Sequence, residues 1–235
     1  MKIFHLGFAL CCFSTLANAQ QKKKSPVKRM LFHSHGISFQ KFDVLNKRIT
    51  SYSQFQSSKN STGTFQFGLI TERNRLITGL IVNAGSSLSG NRNKKSTTTN
   101  FWGVAADAGY NLLKSTQVSL YPFVGLGFEK YKMKFNRDIS SVPFDSVLQS
   151  VSFQQRAENV VFTNSFIVYM IGMGINVTSK KHKQNSAGLQ VGYTGSLGEH
   201  EWKINKSQTL LNSPKDNLSK IFISIIFRYY LKPKK

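Results

Sequence analysis

Apolar and polar residues alternate with a period of two along most of the chain, and a helical period is hard to find. The alternation is clearest in YPFVGLGF, residues 121–128, where bulky apolar residues hold one parity and glycines hold much of the other. Because successive side chains of a β-strand point to opposite faces, this segment predicts a strand with one apolar face. The same pattern predicts seven further strands: Leu31–Phe42, Thr64–Thr71, Leu76–Ala84, Phe101–Leu112, Tyr169–Val177, Ser186–Thr194 and Ile221–Leu231.

The glycines indicate what kind of sheet these strands form. Glycine weakens a strand of an ordinary sheet, because it adds backbone entropy and packs nothing. In a narrow closed barrel the inward positions have little room, and glycine fits where the strands curve. Apolar residues outside and glycine inside therefore favour a small barrel. We expect the inward positions to include Gly36, Gly79, Gly103, Gly125 and Gly172.

The connections between the predicted strands alternate in length along the whole chain. Three are short: Glu72–Arg75, Leu113–Thr116 and Ser179–Asn185. Four are long and polar: Asp43–Gly63, Gly85–Asn100, Lys132–Glu158 and Gly198–Asp216. An even strand number with short turns at one end and long loops at the other is the plan of a bacterial outer-membrane barrel. The predicted fold is therefore all-β: an eight-stranded antiparallel up-and-down transmembrane β-barrel with short periplasmic turns and long extracellular loops.

Over residues 31–231 the sequence resembles the small eight-stranded outer-membrane barrels of the OmpA/OmpX type. The resemblance is carried by YPFVGLGFEK (121–130), MIGMGINV (170–177) before a lysine-rich turn, and the final alternating strand IFISIIFRYYL (221–231). It implies a location in the cell outer membrane and a function set by the loops. One departure is visible: such barrels usually end at an aromatic residue, whereas five residues follow Tyr230 here.

The two ends of the chain are expected to lie outside the barrel domain. Residues 1–19 predict a secretory signal peptide, with a basic start, an apolar run and small residues before a cut after Ala19. Both cysteines, Cys11 and Cys12, fall inside it, so we expect a mature chain without disulfides. Residues 20–30 predict a basic N-terminal tail, 31–231 the barrel domain and 232–235 a basic C-terminal tail.

Four charged residues fall on the predicted inner faces of the strands, namely Asp107, Glu129, Lys220 and Arg228. Charges in a narrow lumen must be paired or hydrated. The strand directions place Glu129 and Lys220 toward the long-loop end, Asp107 near mid-height and Arg228 toward the short-turn end. We predict that some of these residues form a lumen charge network that closes the pore to anything large, the alternative being that each meets only water.

The formal net charge of +22 is the strongest oddity of the composition. Nucleic-acid binding is the usual first interpretation of such a charge. Many of the basic residues, however, map to the short-turn end, which should face anionic phospholipid head groups. Loop residues such as Arg92, Lys94 and Lys95 would instead meet phosphorylated lipopolysaccharide. The expected partners are thus membrane lipids, phospholipid and lipopolysaccharide, with no nucleic acid; a solvated charge without a partner is the alternative, and no protein or glycan partner can be named.

The sequence predicts no catalytic, cofactor-binding or metal site. His33 and His35 would share one face of a strand, but a metal needs more ligands, so we expect two polar side chains near the periplasmic rim. His200 lies beside Glu199 and Glu201, although neighbouring strand residues point to opposite faces and cannot by themselves form a proton relay. The G-x-S-x-G pattern of a nucleophile elbow is absent.

These observations favour a non-enzymatic integral outer-membrane protein with a structural or surface-interaction role through its long loops. A narrow pore for ions or small solutes is one alternative, although eight strands leave an interior that side chains just about fill. A soluble basic secreted β-protein that binds nucleic acid or glycans is the other. Mean hydropathy, at −0.25, does not separate a membrane barrel from a soluble protein, since alternate residues of such a barrel are polar.

Overall fold

The computed structural model describes residues 27–91, 94–115, 117–138, 142–149, 151, 159–179, 185–204 and 208–231. The expected signal peptide, residues 20–26 of the expected N-terminal tail and the expected C-terminal tail lie outside the described residues. Two helices are described, α1 (Asp43–Thr50) and α2 (Phe144–Gln149). Neither is long or apolar enough to cross a membrane.

Eight long antiparallel strands close into a barrel, so the predicted fold class is confirmed. The last of them pairs with both the first and the seventh, which leaves no free edge. Four two-residue strands lie in the last long loop: β8 (His200–Glu201), β9 (Lys203–Ile204), β10 (Gln208–Thr209) and β11 (Lys215–Asp216). The barrel strands are β1 (Lys28–Gln40), β2 (Ser61–Arg73), β3 (Leu76–Gly90), β4 (Ser96–Tyr110), β5 (Val118–Asn136), β6 (Val160–Thr178), β7 (Asn185–Ser196) and β12 (Ser219–Leu231).

The alternation in the sequence matches the two faces of the barrel wall. On β12, Ile221, Ile223 and Ile225 point outward and are about half exposed, whereas the alternate residues Phe222 and Ile226 are buried inside. Outward residues on other strands, such as Leu80, Val104 and Ile171, are likewise apolar and about half exposed, because they face a layer that replaces water with hydrocarbon. The barrel thus carries an apolar belt around an interior that is partly polar.

A two-residue turn at the short-turn end joins β2 to β3. Asn74 and Arg75 both have positive φ, 51° and 73°, which is the backbone of a tight hairpin turn. The Arg75 side chain donates hydrogen bonds to the carbonyl oxygens of Asn111 (2.7 Å) and Leu112 (2.6 Å). Its guanidinium also lies 4.8 Å from the centre of the Tyr110 ring. These contacts tie the turn to the next connection at the same end and hold Arg75 in an uncommon conformation.

Several predicted segment ends differ from the structure. The predicted long loop Gly85–Asn100 is wrong for most of its length, because β3 and β4 stay paired as far as Gly90 and Ser96. Threonine, a β-branched residue that suits strands, fills positions 97–99 on β4 and supports this extension. At the other end, β1 begins at Lys28, within the segment expected to be a tail, and Lys28 pairs with Glu72 at 3.7 Å.

The first long loop contains helix α1, which the period-two pattern did not predict. Leu45 and Ile49 lie four residues apart, so they share one face of the helix, and both are buried. Phe42, expected as the last residue of the first strand, follows the end of β1 and is buried beside the helix. A helix of two turns offers too few apolar positions for its period to stand out in the sequence.

The buried apolar residues form two separate groups, one above the other. The upper core lies at the long-loop end and combines strand ends with loop residues: Phe42, Leu45, Ile49, Phe101, Tyr131, Met133, Phe135, Phe166, Val168, Trp202 and Leu218. The lower core fills the inside of the barrel toward the short-turn end: Met30, Phe32, Ile70, Ile77, Tyr121, Phe123, Phe222 and Ile226. We refer to α1 and the described parts of the last long loop that cover the upper core as the cap.

The tight fit of the lower core predicts the effect of one added methyl group. A Cβ atom at Gly174 would fall on the ring of Tyr121, whereas at Gly63 the nearest atom would be 3.8 Å away. We expect Gly174→Ala to lower the free energy of unfolding by about 1–3 kcal/mol through overpacking, and Gly63→Ala to change it by less than about 1 kcal/mol. Urea unfolding of the barrel in lipid vesicles measures both. Equal losses would contradict the packing described here.

Candidate functional site

The inside of the barrel at the long-loop end contains a buried ion pair. Glu129 on β5 and Lys220 on β12 face each other across the lumen, and the Lys220 Nζ atom lies 2.6 and 2.7 Å from the two carboxylate oxygens. Their side chains are 1% and 4% exposed, respectively. In such a place water screens the charges poorly, so the two groups depend on each other.

Neighbouring polar and aromatic side chains provide the remaining contacts of the Glu129 carboxylate and the Lys220 ammonium group. The Tyr131 hydroxyl donates to Glu129 Oε2 at 2.8 Å, and the Asn83 amide donates to Oε1 at 3.0 Å. The Lys220 Nζ atom lies 4.5 Å from the centre of the Phe101 ring, a favourable position for a cation. The carboxylate therefore accepts bonds from three side chains. We refer to Asn83, Phe101, Glu129, Tyr131 and Lys220 as the upper layer.

A second polar group crosses the lumen closer to the short-turn end. Arg228 donates a hydrogen bond to the Tyr121 hydroxyl and lies over its ring, with Cζ 4.8 Å from the ring centre. Gln190 donates to the same hydroxyl at 2.9 Å. With its amide oxygen turned toward the guanidinium, Asn176 accepts from both terminal nitrogens of Arg228, at 3.2 and 3.3 Å. We refer to Tyr121, Asn176, Gln190 and Arg228 as the lower layer.

The structure brings two of the four predicted network residues into direct contact, and among the described residues it bonds neither Asp107 nor Arg228 to them. Glu129 and Lys220 form the ion pair, while Arg228 belongs to the lower layer. Asp107 is half-buried and lies in register with Gly79 of β3. Within the described part of the chain, no hydrogen bond or ion pair joins Asp107 to Arg228. That some of these charges form a network that closes the pore to anything large remains a prediction.

Sequence reasoning missed most partners of these charges. Asn83, Asn176 and Gln190 share the parity of the inward glycines on their strands, but the pattern gives them no role and does not single out Tyr121 or Tyr131. The period of two predicts whether a residue lies on the inner or the outer face of the barrel wall. The stagger of all eight strands decides which inward residues meet across the lumen. The signal in the sequence that could have identified these partners is an inward tyrosine or amide close to an inward charge.

The cap is anchored by a buried aspartate. Asp216 accepts hydrogen bonds from the backbone N–H groups of Val44 (2.9 Å) and Leu45 (3.1 Å), at the start of α1. It also accepts one from the indole nitrogen of Trp202 at 2.8 Å. A carboxylate at a helix N-terminus satisfies free N–H groups and meets the positive end of the helix dipole. Asp216 therefore fixes the first long loop to the last one.

Aromatic contacts connect the cap to the upper layer. The Phe42 ring centre lies 5.3 Å from Trp202 and 5.1 Å from Tyr131, both in edge-on arrangements that aromatic rings favour. Tyr131 also stacks on Phe101 at 5.0 Å. Since Tyr131 bonds to Glu129, packing is continuous from the cap to the ion pair.

The histidines do not assemble a site. His33 and His35 share a face as expected, but they point outward, where the His33 ring packs on Phe227 (5.2 Å) and the His35 ring on Phe65 (5.2 Å). His200 meets the Phe166 ring edge-on at 5.5 Å. Among the described residues, no group of three or more His, Cys, Asp or Glu side chains could hold a metal ion.

Comparisons with known proteins agree with this architecture. The family model of the outer membrane protein beta-barrel domain matches residues 8–212, which confirms the resemblance to outer-membrane barrels. No curated protein sequence matches the chain.

Three solved structures are similar in fold at low sequence identity. Neisserial surface protein A has a TM-score of 0.51 at 9% identity, with 87% of this chain and 99% of that chain covered. A major outer membrane protein from Thermus thermophilus has a TM-score of 0.52 at 9% identity, with 87% and 100% covered. The attachment invasion locus protein Ail of Yersinia pestis has a TM-score of 0.48 at 12% identity, with 88% and 100% covered. At these identities the first two similarities show the fold alone.

The upper layer predicts a strong effect of removing one partner. Lys220→Met leaves the buried Glu129 charge unpaired, so we expect a loss of about 3–5 kcal/mol in the free energy of unfolding. The matched control is Lys215→Met: Lys215 pairs with Glu201 at 3.1 Å, but both side chains are largely exposed, so the loss should stay below about 1 kcal/mol. Urea unfolding in lipid vesicles gives both values.

A double variant tests the cause of that loss. Adding Glu129→Gln to Lys220→Met removes the unpaired charge, and part of the lost stability should return. The interpretation is wrong if Lys220→Met costs no more than Lys215→Met, or if the double variant is less stable than Lys220→Met alone.

Proposed function

The chain belongs to the outer membrane protein β-barrel family and is located in the outer membrane; from this premise we propose that it is a closed, non-enzymatic barrel that presents its cap as an interaction surface. The observation that carries the proposal is the continuous packing of the cap onto the upper layer. Through this packing, contacts run without a break from the ion pair in the lumen to the cap at the long-loop end. The alternative of a soluble secreted protein is set aside by the membrane location of the family.

The contents of the lumen support a closed barrel over a narrow pore. The upper and lower layers cross the interior at two heights, and apolar rings lie between them, with Phe123 and Phe222 6.5 Å apart. An eight-stranded barrel has an interior that side chains just about fill. Ions entering from outside would first have to pass the cap and then part Glu129 from Lys220.

The roles of the buried acids support a non-enzymatic function. Glu129 is held by three side-chain donors, and Asp216 by two backbone N–H groups and an indole. A catalytic carboxylate must reach substrate, whereas these two are 1% and 4% exposed and fully bonded within the protein. Their burial and hydrogen bonds support a structural role for both carboxylates. A barrel fold alone would not exclude catalysis.

The surface of the long-loop end supports contact with anionic groups. Lys41, Lys47, Arg48, Lys59 and Lys94 are exposed there, while Arg92, expected to act with Lys94 and Lys95, lies outside the described residues. Exposed basic residues attract anionic partners over a Debye length of about 8–10 Å. Membrane lipids with phosphate groups are therefore the partner class we favour, as the sequence predicted.

Conductance in planar lipid bilayers tests the closed state. We expect the full chain, inserted from detergent, to give no discrete current steps, whereas a known porin in the same bilayers does. Folded insertion is checked on a cold SDS gel, where a closed barrel changes its position after boiling. Frequent steps from chain that passes this check would contradict the closed barrel and favour the narrow pore.

A further inference from the structure

The outward row of β5 changes abruptly from apolar to cationic. Up the strand, the outward positions Val124, Leu126 and Phe128 are followed by Lys130, Lys132 and Lys134. We refer to these three lysines as the lysine ladder. The sequence prediction assigned residues 132–158 to a loop, so two of the three were not expected on the barrel wall. Because β5 continues to Asn136, all three lie on the same outer face.

The lysine ladder begins at the upper edge of the apolar belt. Lys130 is paired in register with Trp102 on β4, and the Trp102 ring centre lies 5.9 Å from that of Phe128. Aromatic residues on the outer face of such barrels lie at the boundary between hydrocarbon and head groups. Lys130, level with Trp102, and the two lysines above it are therefore at the height of the head groups of the outer leaflet.

Two grooves lie along the lysine ladder. The first, of about 440 Å³, is lined by Lys130 and Lys132 together with Trp102 and Val161, so it combines cationic and apolar walls. The second, of about 210 Å³, is polar and is lined by Lys130 and Lys203 among others. Lys203 lies on β9, opposite Thr163 of β6, and Thr163 is in turn opposite Lys132. A fourth lysine thus joins the same surface.

These lysines have no anionic partner in the described part of the chain. None of the four forms an ion pair there, and Glu201, the carboxylate that lines the second groove, pairs with Lys215 at 3.1 Å. Alternate residues of a strand are about 6.6–6.8 Å apart, so the positive charges repel one another. An anion that reaches two of them at once would relieve this repulsion, and a phosphate group accepts hydrogen bonds from several lysines.

We propose that the lysine ladder and Lys203 bind the phosphate groups of a phosphorylated lipid of the outer leaflet, of the lipid A type, whose acyl chains lie against the apolar belt below. The position of the cations beside Trp102 and above Phe128 favours a lipid over a soluble anion, because a lipid satisfies the charged and the apolar surface together. This proposal rests on the membrane location of the family and not on the cap's proposed role.

Binding of bisphosphorylated lipid A to the full chain in detergent micelles tests the proposal, with native mass spectrometry as the readout. The test variant carries Lys130→Gln, Lys132→Gln and Lys134→Gln. The matched control carries Arg29→Gln, Arg73→Gln and Lys114→Gln, which removes the same charge from exposed positions at the short-turn end. We expect at least about a tenfold loss of affinity in the test variant and less than about a threefold loss in the control.

Two further arms identify the source of the phosphate. Lipid A without phosphates should bind the wild-type chain and the test variant equally weakly, and inorganic phosphate should not displace bisphosphorylated lipid A. The proposal is overturned if the test variant binds like the wild type, if the control variant loses as much, or if inorganic phosphate competes as well as the lipid. The conductance experiment tests the closed barrel independently of lipid binding. Either the closed-barrel proposal or the lipid-binding proposal can therefore fail while the other stands.

Discussion

Closure of the sheet is the constraint on which the rest of the structure depends. The hydrocarbon layer contains no water that could bond to free N–H and C=O groups, so a spanning sheet must satisfy all of them internally. Here β12 completes the ring through its pairing with β1 and β7. Eight strands make the narrowest common ring of this kind, and the interior must then be filled by small residues or by side chains that fit one another.

The narrow interior explains why the buried charges have partners within the protein. Because the strands face each other closely across the lumen, an inward charge has little room for water and needs a protein partner. Glu129 and Lys220 meet this need for each other, and Tyr131 extends their bonds into the upper core. The cap covers this ion pair, and its loops are held together by Asp216 and Trp202.

The sequence was sufficient for the features that depend on local pattern. The period of two identified eight strands and the face on which each of Glu129, Lys220 and Arg228 lies. It could not predict features that depend on the closed ring, such as the direct contact of Glu129 with Lys220 or the layer around Tyr121. Helix α1 and the bonds of Asp216 depend on contacts between distant loops, and they leave no periodic signal.

The central claim is that the cap and the upper layer close the lumen to solutes from outside the cell, and thiol labelling tests it most directly. Ser224 is 1% exposed and lies on the inner face of β12 between Lys220 and Arg228. We predict that a Ser224→Cys variant reacts with a membrane-impermeant maleimide only after unfolding, whereas Ser53→Cys, on the exposed first loop, reacts on intact cells. The unsubstituted chain serves as the blank. Labelling of Ser224→Cys on intact cells at the rate of Ser53→Cys would contradict the account.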